Sequence, residues 1–394
     1  MRQLTTTAAN VSMKSSDIIL VDYLHNNSQH EDFNLGVIKA LSTFSSISTS
    51  FFVPGSTSGS YLGTFRELPD TSSWNLRQLS TLPVLFYILL FARSNPSHSL
   101  VFLQVLPLHY LFLVAASLFF LRGNPVYVCM HGELAALSKN KLFAPYRWLL
   151  LLSWMASSLL KVRLRFLCID KRVYDNITND FGVFPSVDWI QHFVVRGYNP
   201  SIRLFNTTYG SHRIYRPFRL GSIGVHSSSK NSGAIYTAAS EADSREVEFF
   251  TCGLSDGSFE YNHLPNITHL FKGLVRNTYI DTDAYFNSIC SNIDIVLLFH
   301  KPESGYRYVV SGVVYDLIWL GIPAICSEGS PLLEYSKYYE FPFVSCDFSS
   351  ASIHRCLTYL ERSFFSSPNN LQLMTNQHLQ EISIARWLCL LEKE

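Results

Sequence analysis

The segment spanning residues 293–335 constrains the fold more than any other part of the chain. An apolar run, Ile293–Phe299, is short, β-branched and bounded by polar residues, which is typical of a buried strand. From Ser311 onward, apolar residues recur at helical spacing until Gly321 and a proline two residues later end the pattern. A second apolar run, Ile322–Cys326, predicts another buried strand. The segment therefore predicts a strand–helix–strand unit of a parallel sheet.

The start of this predicted helix suits an anionic ligand. Free backbone N–H groups and the positive end of the helix dipole meet at that point, beside the carboxyl end of the first strand. Ser311 adds a hydroxyl donor, and Gly312 allows a ligand to approach the backbone closely. We therefore expect a phosphate or diphosphate to bind here. The alternative is an ordinary βαβ unit without a ligand, because a helix N-terminus by itself is weak evidence for a site.

The sequence SGVVYDLIWLGIPAI resembles the nucleotide-sugar-binding segment of GT-B glycosyltransferases, especially those of the family-4-like group. Asp316 stands five residues before Gly321, where those enzymes usually carry a Glu that holds the ribose hydroxyls of the donor. Tyr308 stands where the first Glu of the family's paired-Glu motif would fall, so the chain departs from the pattern there. The resemblance implies an α/β protein with two Rossmann-like domains that face each other across a cleft.

The same resemblance implies further donor-binding residues in the second domain. The family places a Gly and an Arg near a strand end and a Lys a few residues later, and both cations neutralise the donor diphosphate. Gly224 and Lys230 fit this spacing, but Val225 or His226 takes the place of the Arg. Arg307 could supply the missing charge, and the loop at Gly329 would present backbone N–H groups to the donor sugar. Alternatively, both Lys230 and Arg307 are solvated surface residues.

Two candidate catalytic residues follow a predicted strand of the first domain. His131 and Glu133 lie just past the run Pro125–Met130, and ligands of open α/β sheets bind at the carboxyl ends of strands. His131 could orient a sugar or hydrogen-bond a diphosphate, and Glu133 could act as general base on an acceptor hydroxyl. A histidine at a strand end can equally be a structural residue with satisfied hydrogen bonds.

The length and composition limit the class of protein. At 394 residues the chain is too long for one ordinary core, and we expect an acceptor-binding domain over residues 1–210 and a nucleotide-sugar-binding domain over 211–374. Residues 375–394 are expected to form a helix that packs back on the first domain, as GT-B proteins often have. A net charge of +1 argues against a general nucleic-acid binder, and eight cysteines without paired or metal-type spacing favour reduced thiols and a cytoplasmic protein.

Two apolar regions raise the question of a membrane. Leu100–Leu121 is almost long enough to cross a bilayer, but internal polar residues and a proline favour a strand, Leu100–Leu106, followed by a helix, His109–Leu121. The apolar helix predicted within Trp148–Leu160 is followed by a basic KVRLR segment, which is typical of a face that docks on an anionic membrane surface. The alternative is a helix buried in the domain.

The sequence thus predicts a glycosyltransferase that moves a sugar from a nucleotide-sugar donor to a glycan or lipid-linked acceptor in cell-surface polysaccharide synthesis. The resemblance implies that no metal or other cofactor is needed, because the helix dipole, Ser311 and Lys230 would carry the leaving diphosphate. A metal-binding Asp-x-Asp could be read at residues 281–283, but Asp281 stands at a predicted helix start, where Asp is a natural cap. We place an irregular region at Val173–Pro217, with the interdomain linker near Asn206–Pro217. The alternatives are a non-catalytic binding or assembly protein of the same fold and a sugar-nucleotide epimerase.

Overall fold

A computed structural model describes residues 17–24, 31–52, 63–69, 76–121, 123–138, 145–195, 217–271, 280–339, 341–365 and 376–392. Within these ranges, thirteen strands form two sheets in which every pair of neighbours is parallel.

The first sheet has the strand order β3-β2-β1-β4-β5-β6-β7. Its strands are β1 (Ile18–Asp22), β2 (Ile47–Phe52), β3 (Thr64–Glu67), β4 (Ser99–Phe102), β5 (Val126–Met130), β6 (Leu164–Cys168) and β7 (Val187–Trp189). Every residue of β1, β4 and β5 is buried, as expected for parallel strands that are covered on both faces.

The second sheet has the order β10-β9-β8-β11-β12-β13. Its strands are β8 (Phe218–His226), β9 (Val247–Ser255), β10 (Ile267–His269), β11 (Ile295–Leu298), β12 (Ala324–Ser327) and β13 (Phe343–Cys346). In both sheets the chain returns to the middle and continues outward on the other side, which is the doubly wound arrangement.

Helices cover both sheets and alternate with the strands along the chain. In the first half they are α1 (Glu31–Leu41), α2 (Arg77–Ser80), α3 (Leu82–Arg93), α4 (Pro107–Phe119), α5 (Pro145–Leu160) and α6 (Lys171–Phe181). In the second half they are α7 (Ala234–Glu241), α8 (Thr282–Asn292), α9 (Gly312–Leu320), α10 (Tyr335–Tyr339), α11 (Ser350–Leu360) and α12 (Asn376–Glu392). Residues 132–138, 305–307 and 331–334 form 3₁₀ turns.

The predicted unit around α9 is confirmed. The helix begins after Ser311 and ends at Gly321, whose φ of 66° is the left-handed cap that glycine adopts without strain. The apolar segment near residue 100 also divides as predicted, into β4 and α4. No helix of the described part of the chain is long and apolar enough to cross a membrane.

Two predictions of local structure are wrong. Part of the supposedly irregular region is α6 and β7, and α6 carries a cap that the sequence displays: Asp170 accepts hydrogen bonds from the backbone N–H groups of Arg172 and Val173. The sequence also predicts one helix over Leu76–Arg93, but the structure divides it into α2 and α3. A proline stands at the start of α3, where its missing N–H costs nothing.

The last helix, α12, packs back on the first domain, which confirms the prediction for the C-terminus. The Tyr127 hydroxyl donates to the Leu390 carbonyl oxygen at 3.2 Å, and the Arg386 guanidinium lies 4.4 Å from the Trp189 ring centre. The sheets fall inside the predicted ranges 1–210 and 211–374, but both predicted boundaries lie outside the described residues, as does the linker apart from its last residue.

Candidate functional site

The second sheet opens into a crevice where its strand order reverses. β11 pairs with β8 only at Ile295–Leu220 and Val296–Gly221, whereas β8 stays paired with β9 as far as His226. The carboxyl ends of β8 and β11 therefore separate. Ligands of open α/β sheets bind at such a point, outside the carboxyl ends of the strands.

The first turn of α9 lies beside this crevice. Gly224, with a φ of 85°, approaches it so closely that a Cβ there would lie 2.9 Å from Val313 Cγ2. Gly312 is exposed, and a Cβ at that position would meet no atom within 4 Å. Ser311 is buried and its hydroxyl caps no helical N–H group. The first turn of α9 is therefore open at Gly312, whereas the Ser311 backbone N–H bonds the Tyr335 hydroxyl. Gly224, Ser311 and Gly312 are brought together.

Asp316 lies one turn further along α9. Val313, Asp316 and Trp319 are partly exposed on one face of the helix, while the residues between them are mostly buried. Asp316 therefore lies on the same face as the residue that contacts Gly224. Its role in binding ribose stays a prediction.

Lys230 lies near two buried histidines at the same edge of the sheet. It is half-buried in the turn after β8, where its backbone N–H donates to the Ser227 hydroxyl at 3.2 Å. Burial, and next the Lys230 charge, lower the pKa of His226 to about 3 and that of His300 to about 3. His300 was not among the residues that the sequence singled out, although a polar residue just after a buried strand is a readable signal.

Arg307 has a different surrounding from the one expected. Its Nε and Nη2 donate to the Asp180 carboxylate of α6 at 2.8 and 3.1 Å, and this hydrogen-bonded ion pair lowers the pKa of Asp180. Arg307 Nη1 also lies 3.5 Å from Glu334 Oε1. The structure thus places Arg307 in an ion pair between the two domains, and phosphate binding by this residue stays a prediction.

Gly329 lies in the loop after β12, with a φ of 70°. A Cβ there would lie 3.0 Å from Pro302 Cγ, in the loop that follows β11. The loop expected to contact the donor sugar is therefore packed against the segment that leads from β11 to α9.

His131 and Glu133 lie past the end of β5. His131 is 8% exposed, its Nε2–H donates to the Leu103 carbonyl oxygen at 2.7 Å, and Phe33 packs edge-to-face on its ring. Glu133 accepts hydrogen bonds from the His131 backbone N–H at 2.9 Å and from the Tyr110 hydroxyl. Burial raises the pKa of Glu133, which moves this carboxyl toward the range of a general acid or base.

The two halves of the candidate site meet across the domain interface. A Cβ at Gly305 would lie 3.1 Å from Ala135 Cβ, so the turn at residues 305–307 packs on the turn at 132–138. Residues 305–307 lead into α9, and residues 132–138 contain Glu133. The donor-side and acceptor-side candidates therefore lie on segments that contact each other across the domain interface.

A buried arginine of the first domain holds the loop that precedes α9. Arg172 has no exposed surface, and its guanidinium donates to the carbonyl oxygens of Tyr306, Arg307 and Val309 at 3.0–3.3 Å. Nearby, the Tyr339 hydroxyl donates to the Asp170 carboxylate at 2.9 Å. Sequence reasoning missed this contact because it left α6 in an irregular region.

No family model matches this chain, and no curated protein matches it. Solved structures do. HepE of Anabaena in complex with UDP and glucose is 11% identical, with a TM-score of 0.59 over 95% of this chain and 99% of that one. Sucrose-phosphate synthase of Thermosynechococcus elongatus (12% identity, TM-score 0.58, 96% and 98% covered) and the lipopolysaccharide outer core galactosyltransferase WaaB in its apo form (10%, 0.57, 96% and 99%) are similar. The chain therefore has the two-domain GT-B fold, as the sequence predicted.

Proposed function

We propose that this GT-B protein is a glycosyltransferase that moves a sugar from a nucleotide-sugar donor to a glycan or lipid-linked acceptor in cell-surface polysaccharide synthesis. The observation that carries the proposal is the open first turn of α9, which borders the crevice between β8 and β11. In the described ranges no group of three or more His, Cys, Asp or Glu side chains is placed to hold a metal ion, and metal independence is part of the proposal.

On the donor side, the leaving diphosphate would be stabilised by fixed groups. The backbone N–H groups at Gly312 and the helix dipole favour negative charge there, and Lys230 supplies a cation at the same edge of the sheet. Groups that are already in place before the reaction stabilise developing charge most effectively. Asp316 would accept hydrogen bonds from the ribose hydroxyls.

On the acceptor side, Glu133 would remove the proton of the attacking hydroxyl and His131 would orient the sugar. The raised pKa of Glu133 supports a role in proton transfer. The Tyr110 hydroxyl and the His131 backbone N–H both bond Glu133 Oε1, and in this proposal Oε2 would take the proton.

Proteins of similar structure support the choice of ligands. HepE is described with UDP and glucose and with UDP-glucose, and WaaB is described as a lipopolysaccharide galactosyltransferase. We therefore include a uridine-diphosphate sugar among the first donors to test and a surface glycan among the first acceptors.

A stripe of exposed apolar side chains on α5 supports docking on a membrane surface. Trp148, Leu152, Met155 and Leu159 are 42–75% exposed, and their spacing places them on one face of the helix. Lys161 follows the helix and is exposed. An apolar stripe beside cationic residues fits the headgroup region of an anionic bilayer, where a lipid-linked acceptor would lie.

The test is a panel of nucleotide sugars, read first by thermal stability and then by transfer to glycan and lipid-linked acceptors with and without EDTA. A bound ligand at a hundred times its Kd raises the free energy of unfolding by about 2.7 kcal/mol. We expect one donor to raise Tm and to be consumed in EDTA. A donor that binds but is never hydrolysed, transferred or isomerised would support the non-catalytic alternative, and no Tm shift with any donor would contradict the proposal.

A further inference from the structure

His300 is a buried histidine without hydrogen-bond partners. It is 5% exposed, and in the described part of the chain neither Nδ1 nor Nε2 has a partner. Buried polar atoms are nearly always hydrogen-bonded in folded proteins, and each exception costs stability. His109 shows the usual arrangement: it is fully buried, its Nδ1 bonds the Tyr23 hydroxyl at 2.7 Å, and its Nε2–H donates to the Gln78 carbonyl oxygen at 2.6 Å.

The position of His300 relates these unpaired atoms to the crevice. It lies two residues after the last residue of β11, at the strand end that separates from β8. Its ring packs edge-to-face on Tyr306, with ring centres 4.4 Å apart. The carbonyl oxygen of Tyr306 in turn accepts a hydrogen bond from Arg172, so the loop that supports the ring is itself fixed.

The surroundings of His300 also determine the protonation state of its ring. The lowered pKa keeps His300 neutral at pH 7, so the ring offers one N–H donor and one acceptor nitrogen. Lys230 is close enough for its charge to lower the pKa of His300. A ligand group held between the Lys230 ammonium and the His300 ring would therefore be anionic or strongly polar.

We propose that His300 is a ligand-binding residue of the donor site, whose ring N–H donates to a phosphate oxygen of the bound nucleoside-diphosphate sugar while Lys230 supplies the charge. The inference rests on the proposed function for the identity of the ligand. It adds a contact at the carboxyl end of β11, the strand whose following loop leads into α9.

The experiment compares His300→Phe with His109→Phe. Phenylalanine keeps an aromatic ring and removes both nitrogens, so His300→Phe should raise the Tm of the ligand-free protein, whereas His109→Phe should lower it. Calorimetric titration with UDP should show roughly ten- to a hundred-fold weaker binding to His300→Phe, the usual effect of losing a hydrogen bond to a charged group. His300→Gln, which keeps an N–H donor, should recover part of the affinity, and His300→Leu serves if the larger ring does not fit.

The ligands used separate this inference from the function on which it rests. If His300→Phe and His300→Leu bind UDP and pyrophosphate as tightly as the wild type does, the inference is wrong and the glycosyltransferase proposal stands. If the wild type binds pyrophosphate but no nucleotide sugar, and His300→Phe weakens that binding, the contact is real and the proposed function is wrong. If the wild type binds neither, both fail.

Discussion

The guanidinium of Arg172 lies over the ring of Tyr335, with Cζ 4.3 Å from the ring centre and Nη2 3.2 Å from the phenolic oxygen. Arg172 belongs to α6 of the first domain and Tyr335 to the second. The same arginine holds the carbonyl oxygens of the loop that leads into α9. The first domain therefore fixes part of the donor side of the cleft.

Replacing Arg172 by Met should destabilise the protein and loosen the loop before α9. The change removes the donor of the partly buried Tyr306 and Val309 carbonyl oxygens, whereas the Glu334 carboxylate keeps its contacts with other side chains. Each lost hydrogen bond from a charged group costs roughly 1.5–3 kcal/mol. Urea unfolding measures this loss. Lys171→Met is the control, because the neighbouring Lys171–Asp175 pair is a surface pair worth about 0.5 kcal/mol. Equal effects of the two substitutions would show that Arg172 is not an interdomain anchor.

Gly312→Ala should leave stability unchanged or slightly raised and weaken the binding of UDP. A methyl group there meets no atom of the protein, but it would occupy the space in front of the open helix turn. Gly233→Ala is the matched control: Gly233 lies at the start of α7 and also has open space around its Cβ. Calorimetric titration should show a loss of affinity only for Gly312→Ala. Wild-type affinity in that variant would mean that the phosphates bind elsewhere.

Asp316→Ala should weaken the binding of UDP and of uridine by roughly ten- to a hundred-fold, with pyrophosphate unaffected, because a hydrogen bond to a charged group is worth about 1.5–3 kcal/mol. Asp316 is partly exposed on the α9 face that also carries Val313, the residue beside Gly224. The ligand pattern distinguishes it from His300, whose replacement should affect UDP and pyrophosphate but not uridine. Asp283→Ala, an exposed carboxylate on α8, is the control. Unchanged uridine affinity would remove Asp316 from the site.

The stability of the ligand-free protein should fall as the pH drops from about 6.5, and His300 should account for part of the fall. The unfolded histidine takes up a proton near pH 6.5, whereas burial lowers the pKa of the folded one to about 3. Stability is therefore complete above pH 6.5 and is lost progressively toward pH 3, by up to about 1.4 kcal/mol per pH unit for each such group. Urea unfolding between pH 5 and 7 gives the slope of the unfolding free energy against pH. His300→Phe should reduce this slope by up to the amount that corresponds to one bound proton, and an unchanged slope would contradict the assignment.

Trp148→Ser combined with Leu159→Ser should reduce binding to anionic vesicles at least ten-fold without loss of stability. Both side chains are exposed, at 47% and 75%, and burying one such apolar side chain contributes about 1.5–3 kcal/mol. Co-sedimentation with phosphatidylglycerol vesicles measures the effect. Tyr359→Ser, at an exposed aromatic on α11 of the second domain, should bind as the wild type does. If the wild type itself does not sediment with vesicles, α5 is not a membrane-docking face.

Much of the fold could be read from the sequence because its signals are local. The sequence predicts a strand over Phe218–His226, and β8 has the same bounds. Helix α9 begins and ends at the residues that the Ser-Gly and Gly-x-Pro patterns indicate. The missed helix α6 also carried local signals, namely Asp170 at its start and Gly182 at its end. That error was one of interpretation, since the information was present in the sequence.

The sequence by itself determined the βαβ unit around α9, the alternation of strands and helices, and the GT-B resemblance, because hydrophobic period and helix caps depend on residues only a few positions apart. Only the tertiary structure decided which side chains face one another. Arg172 meets Tyr335 across 163 residues, Arg307 meets Asp180 across 127, and His300 meets no hydrogen-bond partner among the described residues. Such contacts depend on how the two domains pack, and no periodicity along the chain encodes that packing.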